Sequence, residues 1–243
     1  MFNLDAVSQS WRPFIRHLKY RIHAPPVPSF PQLMQGRNVV IVGSAPRSCR
    51  PKHWDDNFRV VTINASQMAA HSWLTETPDL TLMQFNQIEG MNANALEVRR
   101  VLAGQHTKRL CLLHWRHGLA RLEHGLAAFG YRYDELHLMS RYARIALMQA
   151  VMGQLNLELE TGSKWSNGIV AAALAIESGA ANVILTGINP ISSGHGYNQL
   201  DLKRQHCDSD FAALQLFRLR QHPVFTADAA VADQTGLPLW SGG

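Results

Sequence analysis

Charged side chains are scarce in this 243-residue chain: Asp, Glu, Lys and Arg make up 17%, against about a quarter in an average soluble domain. With 46% apolar residues, that scarcity excludes chain-wide disorder and predicts a sizeable core. Cysteine is rarer still. Cys49, Cys111 and Cys207 are odd in number and far apart, which argues against a disulfide framework and a Cys-built zinc site and fits a reducing cytoplasm. No apolar run reaches the ~18 residues of a membrane-spanning helix, and the N-terminus lacks the apolar core and cleavage site of a signal peptide. There is no Gly-x-x-x-x-Gly-Lys-Ser/Thr loop, which argues against a P-loop kinase. No Gly-x-Ser-x-Gly elbow and no His-Glu-x-x-His pair occur either. Zinc-finger spacing, an RNP motif and a dense Lys/Arg run are also missing, so no nucleic-acid partner is expected.

What is present suits one large domain with a small appendage. The net charge of +5 and pI near 9.4 favour anionic partners or simply aid solubility. Residues 1–37 differ from the rest. Trp11, Phe14, Ile15, Leu18 and Ile22 follow helical spacing among Arg12, Arg16, Lys19 and Arg21, with Pro13 suited only to the helix start. Such a basic amphipathic helix over 7–22 either packs on its own domain or lies on an anionic membrane. Ala24-Pro25-Pro26-Val27-Pro28 then reads as an extended linker.

The main domain is expected over 38–243. Apolar runs predict strands at 39–42, 59–63, 80–85, 110–113, 135–138 and 182–186. Helical stretches fall near 65–73, 92–103, 117–129, 165–179 and 208–221. This alternation predicts a single α/β, Rossmann-like domain with a mostly parallel sheet and helices on both faces. Residues 139–163, with Arg141, Tyr142, Arg144 and Gly153, interrupt the rhythm and are expected to form a small lid.

Ligands of an open parallel sheet bind beyond the carboxyl ends of its strands. Those ends hold Gly43-Ser44-Ala45-Pro46, Asn64, Asn86, His114 and Gly187-Ile188-Asn189. Gly43 permits close backbone approach, Pro46 stiffens the turn, and Ser44, Ser48 and Arg47 offer polar contacts. Asn64 and Asn86 present amides that both donate and accept, which suits a nucleotide, or they cap and turn the chain. Ser166-Asn167-Gly168 opens an alanine-rich helix, where free N–H groups favour an anion or Ser166 simply caps. Among 12 histidines, His206 and His195 are the rival general bases.

Taken in order, Val39-Val40-Ile41-Val42-Gly43-Ser44-Ala45-Pro46, Val60-Val61-Thr62-Ile63-Asn64 and Leu82-Met83-Gln84-Phe85-Asn86 resemble the opening of the bacterial sialyltransferases of glycosyltransferase family 42. Ser166-Asn167-Gly168, then Val183-Ile184-Leu185-Thr186-Gly187-Ile188-Asn189, Tyr197, and His206 four residues before Asp210, resemble that family's second block. The resemblance implies an inverting glycosyltransferase that takes a CMP-sugar donor, needs no metal or other cofactor, and builds a cell-surface glycan. Family members include homo-oligomers; the cytoplasmic location is expected from the cysteines, and peripheral contact with the inner membrane is one of the two roles open to residues 7–22. By position, His206 would be the base and Tyr197 would meet the leaving phosphate. Gly43, Ser44, Pro46, Asn64, Asn86, Asn167, Gly168 and Asn189 would line the donor pocket.

The chain departs from the family at Ser44, where Asn is usual, and at Asn189-Pro190-Ile191, which lacks a tyrosine; Lys203 or Arg204 would then stand in as phosphate donor. The pterin-phosphate diphosphokinases of archaea are similar at the Gly-x-x-Pro loop and at the Asn after the second strand. They imply nucleotide-dependent diphosphoryl transfer with Mg²⁺, although Asn189 replaces their acid. A non-catalytic, nucleotide-binding envelope-assembly protein is the third reading.

Overall fold

The structure, a computed structural model, describes residues 4–23, 25–160, 162–192, 194–197 and 206–242. Seven strands form one sheet: β1 (Asn38–Val42), β2 (Phe58–Ile63), β3 (Leu80–Gln84), β4 (His106–Leu113), β5 (Arg132–Met139), β6 (Asn182–Thr186) and β7 (Val224–Thr226). Their order is β5-β4-β3-β2-β1-β6-β7 and every pairing is parallel. The helices are α1 (Leu4–His23), α2 (Pro31–Met34), α3 (Ser66–Ala69), α4 (Asn86–Glu89), α5 (Ala93–Leu102), α6 (Leu119–Ala127), α7 (Arg141–Met152), α8 (Asn167–Glu177), α9 (Cys207–Leu219) and α10 (Ala229–Thr235).

Parallel strands are covered on both faces, so they read as apolar runs rather than alternating patterns. Val39, Ile41, Val61, Leu82 and Leu113 point to one face and pack on α7, α8 and α9. Met83, Leu110 and Leu112 point to the other and meet Val98, Leu102, Leu122 and Leu126 of α5 and α6. Near β1 and β2 that second face is closed by Trp240 with Val40, Val42, Phe58 and Leu74. Helix α8 is buried on all sides from Gly168 to Ala175, which explains its near-total lack of polar side chains.

The chain moves outward from β1 to β5, then returns through α7 and α8 to place β6 beside β1. The direction of winding reverses between β1 and β6, and such a switch point leaves a crevice at the strand ends. Two glycines let the loops after β1 and β6 close on one another there. The Gly43 N–H donates to Thr186 O and the Ala45 N–H to Gly187 O, both at 2.8 Å. A Cβ on Gly43 would overlap the Gly187 carbonyl, and one on Gly187 (φ 63°) would lie 2.6 Å from Gly43 O.

Four features depart from the sequence reading. Residues 139–163 do not stand apart as a lid: α7 fills 141–152, and Leu147, Met148, Val151 and Met152 are buried in the main core. Leu33 and Met34 also join that core, so the packed unit begins before Asn38. Pro13 lies inside α1 rather than at its start. The predicted helix over 65–73 is a single turn, α3.

Because the β1 and β6 loops touch through backbone, Gly43→Ala should cost about 1–3 kcal/mol of stability. Gly118, with open space around its Cβ direction, should tolerate alanine with little loss. Urea unfolding of the two variants checks this; equal midpoints would show that the crevice tolerates a side chain.

Candidate active site

The crevice gathers the first group of predicted residues. Ser44 Oγ lies 2.8 Å from His195 Nδ1, and the Gly196 N–H donates to Ser44 O at 2.8 Å. Gly196 has no room for a side chain: a Cβ there would sit 3.1 Å from Ala45 O and from Ala69 Cβ. The loop after β6 is thereby laid over the loop after β1. His195 stacks on Tyr197 with centroids 5.2 Å apart, and the Tyr197 hydroxyl donates to Asn94 Oδ1 at 3.1 Å. Tyr197 thus extends from the β6 loop toward the start of α5 and packs against the core on that face. Pro46 is exposed in the loop after β1.

Gly168 belongs to the same neighbourhood. A Cβ on it would meet Ile188 Cδ1 at 3.0 Å, so the start of α8 packs directly on the β6 loop. Ser166 caps α8, its Oγ accepting the Ile169 N–H. Asn167 Oδ1 accepts from Arg144 Nη1 at 3.2 Å, and Arg144 Nη2 donates to Trp165 O at 2.6 Å. Arg144 is 4% exposed and its ion-pair partner Glu158 1%, with Nε 2.9 Å from Oε1. Burial lowers the Arg144 pKa, and Glu158 and Asp210 pull it back up.

His206 reaches this region from α9. It is the N-cap residue of that helix. Asp210 Oδ1 accepts the Ser166 N–H at 2.8 Å, and Ser209 Oγ donates to Lys164 O. These bonds fasten the first turn of α9 to the N-terminus of α8.

The two strand-end asparagines differ. Asn64 adopts φ 50°, a left-handed conformation that Asn tolerates better than most residues, and its Oδ1 accepts the Gln84 N–H at 3.0 Å. It therefore links the ends of β2 and β3. Asn86 lies two residues beyond β3, as the first residue of α4, and accepts a bond from its neighbour Gln87. Asn189 forms an Asx turn, its Oδ1 accepting the Ile191 and Ser192 N–H groups. Lys203 and Arg204 lie outside the described residues.

Sequence reasoning missed Glu158 and Asn94 and gave Arg144 no site role. A guanidinium inside Ala143-Arg144-Ile145-Ala146-Leu147-Met148 was the available signal for a buried cation. It also left His114 without a role. His114 follows β4 at φ 64°, is 8% exposed, and sits 3.3 Å from Gln84 Nε2 through Nδ1. Its pKa is pushed down to about 3, first by burial and then by Arg144, Arg141, Arg116 and Lys164. Among the described residues, no three His, Cys, Asp or Glu side chains cluster as a metal site would require, and no helix is long and apolar enough to cross a membrane.

The folded protein holds His114 neutral, whereas the unfolded chain binds a proton near pH 6.5. Acid therefore favours unfolding between about 6.5 and 3. Over that window, wild-type stability should fall relative to His114→Asn by up to about 1.4 kcal/mol per pH unit. Urea midpoints measured against pH test this, and parallel profiles for the two proteins would contradict it.

No protein-family model matches the chain, and no curated protein matches it in sequence. Solved structures do match. The monofunctional alpha-2,3-sialyltransferase Cst-I from Campylobacter jejuni is 15% identical with a TM-score of 0.58, over 89% of this chain and 84% of that one. The sialyltransferase CstII from Campylobacter jejuni in complex with cytidine-5'-monophosphate is 14% identical with a TM-score of 0.56, over 85% and 86%. CST-II in complex with a trisaccharide acceptor and CMP is 14% identical with a TM-score of 0.54, over 85% and 89%. Across most of its length, this chain has the fold of those sialyltransferases.

Proposed function

We propose that the chain is an inverting, metal-independent glycosyltransferase that moves an acidic, sialic acid-like sugar from a CMP-sugar donor to a glycan acceptor. The observation that carries the reading is the switch-point crevice. It is glycine-lined on both sides and bordered by a helix N-terminus, within a fold shared with proteins solved in complex with CMP. In this reading, Gly43–Pro46 and Gly187 accept the nucleotide against backbone. The Asn64 amide nitrogen contacts the base or ribose, and Asn86 adds an amide at the same sheet edge. Asn167 and Gly168 offer the dipole end of α8 to the phosphate. Asn189 contributes by shaping its turn.

The chemistry is one displacement. The acceptor oxygen forms a bond to the anomeric carbon as the bond from that carbon to the phosphate oxygen breaks. The electron pair leaves with CMP, and His206 takes the acceptor proton. The α8 N-terminus stabilises the charge gathering on the phosphate, joined by Tyr197 once its hydroxyl turns away from Asn94 Oδ1. Ser44–His195 is the competing base pair, since its hydrogen bond already orients an imidazole at the crevice. Diphosphoryl transfer has less support, because Asn189 spends its oxygen within its own turn.

CMP should bind without added metal and more tightly than GMP or ATP. His206→Ala should lower transfer at least a hundredfold, the low end of general-base effects, while CMP affinity stays within about twofold. Calorimetry and a transfer assay decide this. A preference for ATP with Mg²⁺ would sink the reading, and full activity in His206→Ala would move the base to His195.

The glycan acceptor is proposed to sit at a membrane, because of how α1 is oriented. Its polar side faces the body: Arg16 donates to the Leu157 and Glu158 carbonyls, Tyr20 to Gln149, and His23 stacks on Tyr142. Its apolar side faces outward, with Trp11, Phe14, Leu18 and Ile22 each about half exposed or more. An apolar stripe rimmed by Arg12, Lys19 and Arg21 matches an anionic bilayer surface. Wild-type protein should sediment with phosphatidylglycerol vesicles, and Trp11→Ser with Phe14→Ser should reduce that at least tenfold. Equal sedimentation of the two would remove the membrane from the proposal.

A further inference from the structure

A cavity of about 620 Å³ lies between α1, the loop after β4 and the start of α7. Arg12, Arg16 and Lys19 approach it from α1, Arg116 from the β4 loop and Arg141 from α7, and no acidic side chain lines it. Burial, Arg16 and Arg116 disfavour the charge on Arg141, and the acid that opposes them, Glu158, is already paired with Arg144. The cavity also receives the N-terminus of α7, a helix of 12 residues whose N-cap Ser140 is part of the wall.

A second observation points the same way. Three buried donors on the wall have no hydrogen-bond partner among the described residues: His114 Nε2, Trp115 Nε1 and Arg141 Nε. His114 and Trp115 are 8% and 9% exposed. Gln84 Nε2 donates to His114 Nδ1, so the ring proton of the neutral imidazole resides on Nε2. All three atoms are therefore donors, and buried donors call for an acceptor. A tetrahedral oxyanion supplies several acceptor oxygens and negative charge together.

We propose that this cavity is an anion site, separate from the switch-point crevice, that takes a phosphate group, from a lipid headgroup or from a soluble compound. It adjoins the outward apolar stripe of α1, and Ile15 of that helix is among its lining residues. The space exceeds one phosphate and suits a phosphorylated headgroup or a diphosphate. The assignment of phosphate stands without the glycosyltransfer reading; only the lipid source rests on the membrane contact of α1. Through Gln84, which bonds both His114 and Asn64, the site borders the candidate donor pocket.

The test uses the full chain with inorganic pyrophosphate as probe, titrated calorimetrically with CMP already saturating. One pyrophosphate should bind per chain. Arg116→Gln, a change at an exposed position, should weaken it at least tenfold, and Arg12→Gln with Arg116→Gln further, with CMP affinity unchanged. Displacement of pyrophosphate by CMP, equal binding in Arg116→Gln, or no saturable binding would each overturn the proposal. Vesicles then separate the sources. If pyrophosphate releases wild-type protein from phosphatidic acid vesicles but has no such effect on Arg116→Gln, the phosphate is a lipid headgroup. If vesicle binding ignores pyrophosphate while the calorimetric site persists, the ligand is a soluble phosphate compound, and the anion site stands either way.

Discussion

The buried guanidinium of Arg144 is the constraint around which the rest of the molecule is arranged. A charge 4% exposed is costly unless it is both paired and hydrogen-bonded. Glu158 supplies the counter-charge, and Trp165 O and Asn167 Oδ1 supply the acceptors. Meeting these needs fixes three separate pieces of chain. Arg144 belongs to α7, Glu158 to the loop beyond it, and Trp165 and Asn167 to the entry of α8. Glu158 adopts φ 52° to take part, an unfavourable backbone state for a side chain of that kind. Removal of either charge would strand the other, at a cost of about 3–5 kcal/mol.

That constraint reaches both ends of the chain. Arg16 donates to the carbonyls of Leu157 and Glu158, so the loop that holds the counter-charge also anchors α1. On the other side, Asp210 takes the Ser166 N–H, so the helix entry that Arg144 steadies also receives α9 and with it His206. The outward-facing helix and the proposed base are thus joined by one continuous set of polar contacts. The contacts are static connections, and they explain why α1 keeps its polar side inward. Arg16 and Tyr20 have partners on the body, whereas Trp11, Phe14 and Ile22 have none there that would bury them.

Local physics made much of the fold legible in the sequence. Strands β1 to β4 and β6 carry apolar runs, edge strand β5 sets Leu136 and Leu138 among polar residues, and the alanine-rich α8 carries its own cap. Strand β7 escaped because Val224-Phe225-Thr226 is too short to show a period. Helix α7 escaped because Arg141, Tyr142 and Arg144 break the apolar rhythm at its start, although Arg144 is as buried as its aliphatic neighbours. The strand-end rule pointed to the loops after β1 and β6, which the structure brings into contact, with Ser44 and Gly168 beside that contact. His195 was legible only as a rival, since its bond to Ser44 spans 151 positions. Glu158 left no local trace at all. The apolar period of α1 was equally visible, but a period gives the existence of a face and not its direction.

A fold can persist at 12–15% identity when its defining contacts are made by backbone. The switch point here depends on two main-chain hydrogen bonds and on the absence of two side chains. Neither requirement names a residue other than glycine. The side chains around that frame are free to change, as Ser44 and Asn189 do relative to the family they resemble, provided the turns still close. Ser44 closes its turn by bonding His195, and Asn189 closes its own by accepting two N–H groups. Departures that look like lost function in sequence therefore act in this structure as local stabilisers of the same crevice. Helix α1 and the cationic cavity beneath it lie by the loop after β4 and the start of α7, away from the β1–β6 seam.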